Sequence, residues 1–546
     1  MDGLQVVNSK VSLQPAAVCR HPLLVSASHI RLFVLYFFGT GLIASVCDRR
    51  YSPNRISVLN SASRRWSHVL NQEKRDLART PVWLPRSAYV RLMTSPSAGR
   101  RDSEKAPKSH DDSQSLAQQP AALSASAAPD GGARAWLQVL GGFFILFNSW
   151  GIFNTYGAFQ TYYEQELFPS SSASAISWIG SIQGFLLLLV GSLTGPIFDM
   201  GYTRVLMIVG SFLMVFSLMM TSLSTQYYEV RACCKAERCN NLRMCPLPQA
   251  FLALGVTFGL GSGCVFVPGV AIVSTYFNKR RGLAVGITTS GSSIGSVVYL
   301  SVFHQLQPRI GFPWTVRVMG FIVLATSAVS IAVMQRRIAP SGRRRLFDAK
   351  AFAELPYTLF CIGNAISFMG TYIPFFEAPA FAAARTSASP TLAFYFLAIL
   401  SAASTLGRLL PNFLADKTGP LTMLAGCATA TGILALSWLA VHTVGGFVVF
   451  CVLYGLFSGS LVSLPPAAVA SLTDDHSRLG ARLGMAFALA GFGLLIGNPV
   501  AGVLVDLRTG EFWKGIVFNG VAVLAAGTLL LAARVAKAGW SPKAKV

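Results

Sequence analysis

From residue 136 onward the chain alternates between apolar runs of roughly twenty residues and short polar or basic breaks. Twelve such runs lie near 136–160, 174–198, 204–224, 249–274, 282–303 and 315–335, then 356–380, 391–414, 420–441, 444–468, 482–505 and 514–535. About 20 apolar residues in a helix cross a hydrocarbon layer about 30 Å thick. In that layer backbone polar groups must be satisfied within the segment, so every run is predicted to be a helix. Six runs, a basic connector "QRRIAPSGRRRLF" (335–347) and six more runs form a two-fold internal repeat.

Composition agrees with the pattern. Of 546 residues, 53% are hydrophobic and 12% charged, and mean hydropathy is +0.52; soluble chains carry about a quarter charged residues. The fold class expected is an all-α polytopic membrane protein. The net charge of +23 does not indicate nucleic acid, because the basic residues cluster at run ends and in the N-terminal region. Arg204, Lys279–Arg281, the connector, Lys417 and the tail "RVAKAGWSPKAKV" fall on one side, predicted to be cytoplasmic. The opposite side carries "TYYEQELFPSSSAS" (161–174), with Glu164 and Glu166. Both ends of the twelve-helix unit are then cytoplasmic, most naturally in a plasma membrane. Cys264, Cys361, Cys427 and Cys451 stand alone in apolar runs, where Cys acts as a small hydrophobe.

The expected organisation is an N-terminal region at 1–129, a six-helix bundle at 130–335, a cytoplasmic connector at 336–355, a second bundle at 356–535 and a tail at 536–546. Two regions stand apart. Residues 1–92 hold 13 Lys/Arg against 4 Asp/Glu and one short apolar run at 32–47. That run is compatible with a signal anchor, a thirteenth span or a mitochondrial address. The preferred reading is a gene-model artefact, with translation starting at Met93 ahead of a polar, disordered 93–129. Residues 231–249, "RACCKAERCNNLRMCPLPQ", interrupt the unit with four cysteines lacking zinc-site spacing; external disulfides and a retained intron are both open.

Several stretches carry more specific information. "DGGARAW" (130–136) enters the first run, and "YFNKRRGLAVGITTSGSSIG" (276–295) enters the fifth. Gly282, Gly286, Gly291 and Gly295 give small residues at helical spacing, suited to close helix packing in lipid. "GPIFDMGYTR" (195–204) and "FLADKTG" (413–419) occupy equivalent places in the two halves, each with an acid, a glycine turn and a basic residue. Arg408 lies within the eighth run, and an intramembrane arginine is costly and normally faces the bundle interior.

The pair of signatures at 130–136 and 276–295 resembles that of the monocarboxylate-porter family of the major facilitator superfamily. Its fungal branch is the nearer likeness, through 178–202, 407–420 and 482–502. The resemblance covers roughly 130–535. It implies the major facilitator fold, twelve transmembrane helices in two six-helix bundles working by alternating access around a midplane site. It implies that Asp199 and Asp416 cap following helices and pair across to others, with Arg204, Lys279, Arg280 and Arg281 in the cytoplasmic gating region. By the same likeness Arg408 is an anion clamp for a substrate carboxylate.

Two departures bear on the cargo. Ser404 stands where animal members have an acid, and Asn154 stands near the place of their lysine, with no Lys or Arg from 135 to 203. Classical lactate–proton symport is therefore in doubt. "FFILFNSWGIFNTYGAFQTYY" (143–163) offers an aromatic, amide-rich wall, with Asn148, Asn154 and Tyr156 facing Asn364 as candidate substrate contacts and Glu377 as a candidate proton carrier. No Walker phosphate loop, HExxH or nucleophile elbow is present in the bundle, so neither ATP-driven pumping nor catalysis is expected, and no cofactor or metal. The expected partners are a small-molecule substrate and the bilayer, with a monomer as the simplest state. The function expected is secondary active transport of a small organic metabolite; the alternatives are efflux of a secondary metabolite and, behind both, a transporter-like nutrient sensor.

Overall fold

The computed structural model describes residues 131–169, 171–224, 246–277, 280–337, 347–473, 478–505 and 509–539. All of them belong to the second of two compact units, Gln118–Val546. The expectations for 1–130, for 231–245 of the atypical insertion, for Lys279, for 338–346 of the connector and for 540–546 of the tail lie outside the described residues. The described chain is 90% helical, with no strand.

In chain order the α-helices of seven residues or longer are α1 (Ala133–Asn154), α2 (Tyr156–Tyr162), α3 (Ala173–Asp199), α4 (Thr203–Leu223), α5 (Phe258–Tyr276) and α6 (Arg281–Val333). The second half comprises α7 (Leu355–Thr371), α8 (Ile373–Arg385), α9 (Pro390–Thr418), α10 (Pro420–Ser437), α11 (Val444–Ser463), α12 (Pro465–Leu472), α13 (Leu479–Leu504) and α14 (Trp513–Ala538). Eleven helical stretches among the described residues are long and apolar enough to cross a membrane. One of them, α6, runs 53 residues and turns back at Gly311, whose φ of 77° no β-carbon tolerates well, between Pro308 and Pro313. Its two limbs make the traverses up to twelve.

The helices depart from the apolar runs at two equivalent places. α1 stops at Asn154, Thr155 sits at φ −81° and ψ −8°, and α2 resumes at once. The Thr155 hydroxyl donates back to the Gly151 carbonyl at 2.8 Å, competing with the backbone ladder. α7 stops at Thr371, Tyr372 sits at φ −90° and ψ −6°, and α8 restarts with Pro374 in its first turn, where a missing N–H costs nothing. The first traverse then continues through a π-helical turn, Tyr163–Leu167, rather than ending at 160, and α8 reaches Arg385 rather than 380. Helical hydrogen bonds are local, so the backbone stays helical after the side chains turn polar.

Glycines set how tightly the helices pack. A β-carbon on Gly291 or Gly295 of α6 would collide with the Phe143 or Phe147 carbonyl of α1. In the other half Gly493 and Gly497 of α13 meet the Ala365 and Met369 carbonyls of α7 in the same way. Outward faces stay apolar, as at Leu193, Phe413 and Val503, all more than half exposed, which suits hydrocarbon rather than water. We call the end bearing 334–337 and 347–354 the connector face and the end bearing 163–169 and 386–389 the far face.

Candidate functional site

The two halves meet along three seams. α3 lies on α13, with the Ser174 hydroxyl donating to the Pro499 carbonyl at 3.0 Å and Phe185 and Phe492 rings 4.9 Å apart. The first limb of α6 lies on α9 through paired hydroxyls, Ser293 with Ser404 at 2.7 Å and Ser296 with Ser401 at 3.0 Å. α2 lies on α8 at the far face, where a β-carbon on Gly157 would collide with the Phe375 carbonyl and the Tyr156 and Phe376 rings stand 5.0 Å apart.

Between these seams, beside the breaks in the first and seventh traverses, sits an aromatic cluster. Tyr372 stacks on Trp150 at 6.2 Å and meets the edge of Phe153 at 5.1 Å. Trp150 also contacts Phe266 of α5, which reaches Phe487 of α13 at 5.8 Å. Broken helices around a midplane site free backbone and side-chain polar groups for a cargo, as in other secondary transporters.

Arg408 belongs to this region and is 3% exposed. Its Nη1 donates to the Thr289 carbonyl at 3.3 Å and to the Ser292 hydroxyl, both on α6, while its Nε has no partner. The Tyr372 hydroxyl is also unpartnered. Four buried amides add to this set. Asn154 and Asn498 have both amide atoms unpaired, as does Gln183, and Asn364 has an unpaired Nδ2. Asn154 lies one turn beyond Trp150 on α1, and Asn364 lies two turns before Tyr372 on α7, so each shares its helix face with the cluster. Asn498 follows Gly491 and Leu494 on the face of α13 that touches α3, where Leu494 meets the Gly184 position.

The other sequence candidates fall elsewhere. Asn148 is engaged structurally: its Nδ2 donates to Ser327 at 3.1 Å, and its Oδ1 accepts from Tyr299 at 2.8 Å and Thr326 at 3.0 Å. The Tyr156 hydroxyl donates to the Ile176 carbonyl at 2.6 Å. Glu377 is buried within α8 and meets Gln160 of α2 rather than the Arg408 cluster. Asp199 ends α3 and Asp416 lies in the last turn of α9, so neither is the N-cap of the next helix; Tyr202 and Gly419 are. The turns between rest on Gly201 at φ 102° and Gly419 at φ 94°. Arg336 of the connector donates to the Phe198 and Asp199 carbonyls at 2.6 and 3.0 Å, closing the end of α3. Arg204 and Arg280 are exposed on the connector face, and Arg281 opens α6.

Sequence reasoning missed Gln183, Asn498 and Arg482. Arg482, 4% exposed at the start of α13, pairs with Glu354 and, at 3.4 Å, with Asp348, tying the connector to the bundle. Its signal was a lone cation opening the glycine-rich run 482–502. An apolar groove of about 450 Å³ lies away from all of these, between α7 and α14, lined by Ile366, Met369, Trp513, Val517 and Ala525.

A family model described as Major Facilitator Superfamily matches residues 139–376 and 360–545. The MFS-type transporter dbaD of Emericella nidulans is 42% identical over 402 residues, covering 73% of this chain and 86% of that protein. The aspyridones efflux protein apdF of the same organism is 34% identical over 423 residues, covering 77% and 82%. Among solved structures, a peptide transporter POT in complex with alafosfalin aligns with a TM-score of 0.55 at 14% identity, over 75% of this chain and 96% of its own. A bacterial homologue of the iron transporter ferroportin aligns with a TM-score of 0.53 at 12% identity, over 73% and 99%. These last two likenesses concern the fold alone.

Proposed function

Starting from a chain that belongs to the major facilitator superfamily and resembles fungal transporters, we propose that it exports an aromatic, hydrogen-bonding secondary metabolite with an acidic group. The observation that carries this reading is a set of unpaired buried groups: Arg408 Nε, the Tyr372 hydroxyl and the amides of Asn154 and Asn364, with Asn498 on the α3-facing side of α13. Leaving such groups unpaired costs about 1–3 kcal/mol each, and a cargo that accepts their hydrogen bonds recovers it. Stacking between Trp150, Phe153 and Tyr372 supplies the complementary surface for a ring. The likeness to apdF, an aspyridones efflux protein, favours export over uptake.

The signatures at 130–136 and 276–295 support a monocarboxylate-porter-like carrier in which Arg408 takes the anion. Small-monocarboxylate uptake is the second reading. Against it stand the serine pair at Ser293 and Ser404, where an acid would be needed, and amides in place of a lysine. In the proposed topology the connector face is cytoplasmic, the membrane is the plasma membrane, and Asp199, Arg204, Asp416 and Lys279–Arg281 gate that face.

The test is transport of aromatic carboxylates and of lactate in inside-out vesicles, with and without a pH gradient, for wild type and Arg408→Ala. Accumulation of the aromatic anions, reduced about tenfold or more in the variant, is expected. Lactate transport with no aromatic transport, or unchanged kinetics in Arg408→Ala, would remove the reading.

A further inference from the structure

We propose that Glu164 and Glu377, joined through Gln160, form a proton-binding site that latches the far face shut. Gln160 is 1% exposed and sits on α2; its Nε2 donates to Glu164 Oε1 at 3.0 Å and to Glu377 Oε1 at 3.2 Å. Glu377, 2% exposed, comes from α8 in the opposite half, and Glu164 is half-buried in the π-helical turn. One amide nitrogen therefore spends both its hydrogens on two carboxylates from different halves of the carrier. Gln160 is itself oriented by the Ser177 hydroxyl of α3, 3.4 Å from its Oε1.

Among the described residues, no cation is ion-paired with Glu164 or Glu377. The titratable groups on the elements around the pair are of three kinds. On its own traverse, the Tyr156 hydroxyl is committed to the Ile176 carbonyl, the Tyr163 hydroxyl is buried without a partner, and Tyr162 and Glu166 follow toward the surface. On α8, Arg385 ends the helix and its Nε donates to the Gly510 carbonyl at 2.8 Å. On α6 and α9, His304 packs against Phe394 and Tyr395.

Two carboxylates sharing one donor without a cation are stable together when a proton lies on one of them, which turns one acceptor into a donor. Parting α2 from α8 breaks the Gln160–Glu377 bond and lets water reach both acids separately. By linkage a proton bound in the shut arrangement favours it, so closure holds in acid and is lost as pH rises. A proton entering from the far side would thus close that side behind it. Under the proposed topology this is the return step of an exporter that exchanges cargo for protons. The proposal rests on the alternating-access part of the functional reading and not on the cargo.

The test uses the purified full chain in lipid nanodiscs without cargo. Spin labels are placed at Gln165→Cys and Ser387→Cys, both exposed on the far face, in a background with the reactive native cysteines replaced. The distance between them should be short in acid and lengthen as pH rises. Glu377→Gln and Glu164→Gln, neutral and of the same shape, should each lose that pH response and stay short throughout. Gln160→Leu should lose the short distance. A wild type with no pH response, or variants that keep the wild-type response, overturn the proposal. Should Glu377→Gln not be recovered folded, Glu164→Gln at its half-exposed position carries the same prediction. A working latch in a protein that moves no aromatic anion would instead count against the export reading.

Discussion

An arginine inside a helical bundle must place five N–H donors. Arg408 places Nη1 on the Thr289 carbonyl and Ser292 and leaves Nε unpaired. Arg408→Lys should not restore transport lost in Arg408→Ala, because an ammonium cannot both hold α6 and present a flat fork to a carboxylate; vesicle transport at matched expression checks this. The unpaired amides make an opposite prediction for stability. Asn154→Leu and Asn498→Leu each remove a buried unsatisfied group that costs about 1–3 kcal/mol. They should therefore raise the thermal unfolding midpoint of the cargo-free carrier while weakening cargo binding. Arg408 and Asn154 were legible in the sequence, because a cation or amide in an apolar run stands out. Asn498 and Gln183 were not, since whether an amide lacks a partner is a property of its neighbours.

Among elements, the close packings of α6 on α1 and of α13 on α7 depend on absent side chains. Gly493→Val should destabilise the fold by about 1–3 kcal/mol, since its β-carbon would enter the Ala365 carbonyl; size-exclusion profile and unfolding midpoint report it. The α6–α9 seam predicts a modest coupling instead. A double-mutant cycle on Ser293→Ala and Ser404→Ala should give about 0.6 kcal/mol, the usual worth of an interhelical hydrogen bond in lipid. The spacing Gly291-x-x-x-Gly295 announced close packing from the sequence, but not that the partner is α1, because lipid-facing and helix-facing glycines read alike. The breaks at Thr155 and Tyr372 were invisible for a related reason: the apolar run resumes at once after Asn154–Thr155 and after Thr371, and only Pro374 hints at a restart.

At the scale of the molecule, α2 and α8 bring the halves together at the far face, while α3 against α13 joins them along their length. A β-carbon on Gly484 would stand 3.6 Å from Ser192 Cβ, within the range a disulfide spans. Ser192→Cys with Gly484→Cys should therefore cross-link under oxidation. If the halves rock about this seam, cross-linking should arrest transport and reduction should restore it, measured on one vesicle preparation. A cross-linked carrier that still cycles would place the moving parts elsewhere.

The sequence alone determined the number of traverses, their helical nature, the family likeness and the expectation of a buried arginine. Each follows from local rules: apolar length, the need to satisfy backbone groups in lipid, and charge at helix ends. Only the tertiary structure decided which polar groups stay unpaired. It also set Ser404 against Ser293 and brought Glu377 within reach of the Gln160 amide. Those facts depend on residues more than a hundred positions apart meeting across the seam between the halves, and no pattern along the chain encodes that distance.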